Sequence, residues 1–115
     1  MNEIRTKKIA SALHREISDI IATETRDEDL KMVTITDLKL ANDLSYAKIY
    51  FTTIFTNKKD KVLLDLNNAK GFIKSELCKR KLEIRTIPEL EFIYDTSLEY
   101  ANNIEKILKE IKENQ

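Results

Sequence analysis

The chain has 115 residues, 42% hydrophobic and 35% charged, which suits one domain with its own core and leaves no run of roughly 20 apolar residues to cross a membrane. A lone cysteine, Cys78, excludes an internal disulfide, and the charged N-terminus is unlike a signal peptide, so a cytoplasmic protein is expected. The formal net charge of zero conceals segregation: residues 1–15 and 70–85 are basic, whereas residues 86–115 carry seven acids against three lysines.

Ile9, Leu13, Ile17 and Ile20 recur at helical spacing and predict a first helix over roughly Glu3 to Glu24. The polar stretch Thr25 to Asp29 reads as a loop, and its acids Asp27, Glu28 and Asp29 as a solvated run. Residues 32–54 are rich in β-branched and aromatic side chains and are broken once, at Ala41-Asn42-Asp43. This pattern predicts two strands joined by a turn. Val33 and Ile35 fall on the opposite phase from Leu38 and Leu40, which places a bulge near Thr36. Tyr46 and Tyr50 share one face of the second strand, where they could stack on bases; at least one is expected in the core.

Helical spacing returns at Val62, Leu66, Ala69, Ile73 and Leu77 and passes straight through Gly71, the only glycine. Glycine inside a helix costs about 1 kcal/mol relative to alanine. The position is therefore expected to bend the helix or to admit another backbone closely. The only proline, Pro88, should end the helix in the early eighties. Leu90, Phe92 and Tyr94 alternate with Glu89, Glu91 and Ile93 as a third strand. A capping box, Thr96-x-x-Glu99, then opens a last helix with Ile104, Ile107, Leu108 and Ile111 on one face and a frayed tail. The predicted order is α-β-β-α-α-β-α in a single α+β domain spanning residues 1–115.

Two helices meeting at a bend, with cations gathered around it, resemble the organisation of KH-type RNA-binding domains. Their GXXG loop cannot exist here, and Ala69-Lys70-Gly71 stands in its place. That triplet resembles the kink of the ribosome-binding factor A family, and so do other fragments in the same order. Arg5-x-x-Lys8-Ile9 resembles that family's opening basic pair. Val33-Thr34-Ile35-Thr36 with Asp43-Leu44-Ser45-Tyr46-Ala47-Lys48-Ile49-Tyr50 resembles its hairpin. Leu82-x-x-Arg85-x-x-Pro88-Glu89-Leu90-x-Phe92, then Asp95-x-Ser97-x-Glu99-Tyr100, resembles its last strand and final helix entry. One departure is Asp27-Glu28-Asp29-Leu30, where the family commonly has Asp-Pro-Arg-Leu.

The resemblance implies a KH-like type II fold, with a three-stranded mixed sheet, helices on one face and a helix-kink-helix at Ala69 to Gly71. It further implies an assembly factor that binds the free 30S ribosomal subunit and supports 16S rRNA maturation without catalysis. Arg5, Lys8, Lys70, Lys74, Lys79, Arg80, Lys81 and Arg85 are the expected RNA contacts. Lys70, Lys74 and Lys81 fall in one helical sector at about 100° per residue. Two other readings stay open, a free-standing KH-like regulator of single-stranded RNA and a protein–protein adaptor using the acidic last helix.

His14 is expected among helical surface residues and Cys78 as a small buried hydrophobe. No glycine-rich phosphate loop, zinc spacing or catalytic triad occurs in the sequence. The chain is accordingly expected to be a monomer without metal, cofactor, small-molecule substrate or enzymatic activity.

Overall fold

The computed structural model of the protein describes residues 3–82 and 84–97. Its elements are α1 (Glu3–Thr23), α2 (Glu28–Lys31), β1 (Val33–Leu40), β2 (Tyr46–Thr53), a 3₁₀ turn (Thr56–Lys58), α3 (Lys59–Asn68), α4 (Lys70–Lys79) and β3 (Glu89–Tyr94). The final helix expected from Ile104, Ile107, Leu108 and Ile111 lies outside the described residues.

The three strands form one mixed sheet in the order β1-β2-β3, β1 antiparallel and β3 parallel to the central β2. Alternation puts Ala47, Ile49 and Phe51 of β2, with Leu90 and Phe92 of β3, on one buried face. Against it pack Leu13, Ile17, Ile20 and Ile21 of α1, Val62 and Leu66 of α3, and Ile73 and Leu77 of α4. The chain returns from β2 to the parallel β3 through the paired helices α3 and α4, which are the crossover that parallel pairing requires. Register shifts between Ile35 and Asp37, so Thr36 is the expected bulge. Its hydroxyl donates to Asp95 Oδ2 at 2.6 Å and so anchors the bulge to the residue that follows β3.

Several local expectations need correction. The acidic stretch is not wholly loop, because Asp27 accepts the Asp29 N–H at 2.9 Å and caps the short helix α2. In the hairpin turn the left-handed residue is Leu44, at φ 63°, rather than Asn42 or Asp43. Asp43 acts through its side chain instead, accepting from the Ser45 N–H at 3.1 Å and hydroxyl at 2.6 Å. Tyr46 and Tyr50 are both half-buried on the outer sheet face, so neither joins the core, and the Lys39 ammonium lies 5.5 Å from the Tyr50 ring centre. Cys78 is exposed, since it points away from the Ile73 and Leu77 stripe. His14 is half-buried and its Nε2–H donates to the Ile35 carbonyl at 2.9 Å, tying α1 to β1.

The bend is real, but Ala69 carries it. Its ψ of −2° departs from the ordinary helical value of about −42°, and its N–H is shared between the Asp65 and Leu66 carbonyls. Gly71 lies inside the first turn of α4 and has no positive φ. A Cβ built on it meets nothing within 4 Å. Neither backbone strain nor packing within the described chain demands glycine there.

Candidate nucleic-acid interface

Helix α4 ends at Lys79 and the chain turns through Arg80 and Lys81. Lys81 adopts φ 52°, the left-handed conformation that often closes a helix and usually falls to glycine. It therefore leaves the sector of Lys70 and Lys74 predicted for a continuous helix. Residues 84–88 run back toward the hairpin turn, where the Glu89 N–H donates to the Ser45 carbonyl at 3.0 Å. Pro88 is fully buried just before β3, where its missing N–H removes no ladder bond.

This returning segment brings distant cations together around three adjoining cavities that share Ile84. The largest, about 810 Å³, is lined by Arg5, Lys74 and Arg85 together with Asp43, Ser45 and Glu89. The second, about 490 Å³, is lined by Lys74, Cys78, Lys81 and Arg85. The third, about 260 Å³, is lined by Lys8, Arg15 and Lys81. Among the described residues Arg5, Lys8, Lys70, Lys81 and Arg85 make no ion pair, so their charge is available to a ligand.

The remaining cations expected to bind are engaged within the protein. Arg80 donates to Glu16 Oε2 and Asp19 Oδ2, both at 2.7 Å, and its side chain is only 24% exposed. The hydrogen bond from Arg80 is the main reason the Glu16 carboxyl is held below its ordinary range. Arg80 is thus a clamp between α1 and α4 rather than a free phosphate ligand. Lys79 pairs with Glu76 one turn back at 3.1 Å, on the exposed surface. Lys74 pairs with Glu89 at 2.9 Å, yet it lines the groove, where a phosphate could replace that partner. Lys70 lies one turn before Lys74 and helps hold the Glu89 carboxyl below its ordinary range, after the larger effect of Lys74.

Sequence patterns alone do not single out Ser45, Ile84, Thr86 and Ile87, although all four line the groove. The available signal is the irregular stretch between the end of α4 and Pro88, since such connections commonly carry function. The carboxylates of Asp27, Asp29 and Asp65 lie within 4.8 Å of one another. A cation already serves two of them, because Lys61 donates to Asp29 at 2.9 Å and to Asp65 at 3.1 Å.

Residues 5–108 match the family model described as ribosome-binding factor A. A ribosome-binding factor A of Staphylococcus epidermidis is 44% identical over 115 residues, covering 99% of this chain and 98% of its own. The crystal structure of ribosome-binding factor A from Thermus thermophilus superposes with a TM-score of 0.69 at 22% identity, covering 77% of this chain and 93% of that one. A Thermus thermophilus homology model fitted into the cryo-EM map of a 30S–RbfA complex superposes with a TM-score of 0.63 at 22% identity, over the same shares.

Proposed function

This chain belongs to the ribosome-binding factor A family, and we propose that it is a single-domain assembly factor that binds free 30S subunits and assists 16S rRNA maturation. The observation that carries the site is the convergence of Arg5, Lys81 and Arg85, unpaired within the described residues, on one groove beside Lys74. Cations held at a concave surface exchange their counterions for phosphates, and this exchange supplies most of the attraction to RNA. Lys8 and Lys70 extend the surface on either side. Gly71 presents bare backbone on the same helix as Lys70 and Lys74, so a sugar-phosphate chain can approach where a side chain would stand. This arrangement is KH-like in role, with Ala69 making the bend and Gly71 the clearance.

The protein acts by binding, favouring one rRNA conformation over its alternatives by the difference in affinity between them. No step requires a metal, a cofactor or a reacting side chain, and a monomer in the cytoplasm suffices. Sedimentation of cell extract through a sucrose gradient tests the reading. Comigration with free small subunits and absence from translating ribosomes is expected. Changing Arg5, Lys81 and Arg85 to glutamine should flatten the salt dependence of log affinity by about 0.7 to 0.9 for each phosphate no longer neutralised. Changing Lys31, Lys48 and Lys59, none of which lines the groove, should not. Tight binding of short oligonucleotides without comigration would favour a free-standing RNA regulator. Binding insensitive to salt and ribonuclease would favour a protein adaptor.

A further inference from the structure

We propose that the largest cavity selects an unpaired RNA nucleotide whose base carries an exocyclic amino group, and that Asp43 and Glu89 are the residues that read it. This rests on the RNA-binding reading above and concerns which nucleotide the groove accepts. The cavity has mixed sign: Arg5, Lys74 and Arg85 line it together with the carboxylates of Asp43 and Glu89, and Leu44, Ile84 and Ile87 supply apolar surface. A pure phosphate site would have little use for two carboxylates. At about 810 Å³ the cavity falls within the range of sites that enclose a whole small ligand.

Both carboxylates have partners on the cavity wall. The Ser45 hydroxyl and N–H hold the Asp43 carboxylate at 2.6 and 3.1 Å. The Ser45 carbonyl accepts the Glu89 N–H at 3.0 Å, which places the Glu89 backbone, and Lys74 holds its carboxylate at 2.9 Å. The turn and the start of β3 therefore form one wall. Hydrogen bonds from Ser45 and from Lys74 hold the two carboxyls below their ordinary ranges, so at neutral pH each is ionised and can only accept. A phosphate is repelled from that wall and drawn to the cations, which leaves the base edge to face the acids. Cytosine, adenine and guanine offer an amino donor on that edge. Uracil offers only one imino N3–H, flanked on both sides by carbonyls that a carboxylate repels, so it is the poorer partner.

Cytidine and uridine octanucleotides, matched in ring size, isolate this term when their affinities are measured by fluorescence anisotropy at one salt concentration. The full chain should bind oligocytidine about tenfold more tightly than oligouridine. Asp43→Asn and Glu89→Gln should each bring the ratio toward one, because an amide can donate to the uracil carbonyl. Glu89→Gln should also tighten oligouridine binding outright, since it releases Lys74. Glu89 is 62% exposed, so that variant decides the matter even if Asp43→Asn does not fold. Equal affinities in the unaltered chain, a ratio unchanged in the folded variants, or no oligonucleotide binding at all would overturn the proposal. If comigration with small subunits persists in those cases, the function stands and only base selection falls. If comigration is lost as well, both fall.

Discussion

Two single positions separate stability from binding. Gly71 sits at a helical position with open space beyond it, so Gly71→Ala should leave stability unchanged or raise it by up to about 1 kcal/mol. The same change should weaken binding to small subunits if RNA backbone passes close by. Denaturant midpoints and cosedimentation measured together decide this; a stabilised variant with full binding would reduce Gly71 to a neutral residue. Lys81 makes the opposite case. Its φ of 52° strains a side-chain-bearing residue, and Lys81→Gly should stabilise the fold by about 1 kcal/mol. The substitution removes a groove cation, so affinity should fall as stability rises. The kink expected over Ala69 to Gly71 falls at Ala69, where one dihedral makes it, while Gly71 lies on regular helix. Of the two roles open to Gly71, bending the helix or admitting another backbone, the first goes to Ala69.

At the scale of elements, the Arg80 clamp fixes how α1 docks on α4. Arg80→Gln should cost about 1–2 kcal/mol at neutral pH, as expected for charged hydrogen bonds on a partly exposed pair. The pH dependence follows from the depressed Glu16 carboxyl, the usual acid case. Its stabilisation is present in full above the unfolded value and is lost as pH falls through the lower folded value. The gap between the two proteins should therefore narrow below about pH 4, which urea unfolding at pH 7 and pH 3 can follow. An undiminished gap at acid pH would assign the effect to packing of the arginine stem. The sequence could not reveal this clamp. Arg80 and Glu16 are 64 residues apart, and no helical or strand spacing links them.

At the scale of the molecule, residues 81, 82 and 84–87 line the groove together with residues of α1, α4 and the hairpin turn. The three acids Asp27, Asp29 and Asp65 lie outside that groove; Lys58 and Lys61 pair with Asp29, Lys61 also with Asp65, and Asp27 caps α2. The hydrogen bond to Asp29, then that to Asp65, raises the Lys61 ammonium above its ordinary range, so it stays charged at neutral pH and above. Chelator treatment should accordingly leave the melting temperature unchanged. A drop on adding chelator would mean that the acids hold a metal ion in solution in place of the lysine.

The alternation of β2, the stripes of α1, α3 and α4 and the phase break at Thr36 are local patterns, and each reappears where the sequence puts it. Burying apolar side chains along one face admits few other solutions, so elements, core and sheet were legible in the chain itself. The roles of the cations were not. The sequence presents Lys74, Lys79, Arg80, Lys81 and Arg85 as one ladder, while the folded protein divides them among a clamp, a surface pair and a groove. Lys79 pairs locally, with Glu76 one turn back, but the roles of Lys74 and Arg80 depend on which acids β3 and α1 bring within about 3 Å of their head groups, and only the packed helices and sheet set those distances.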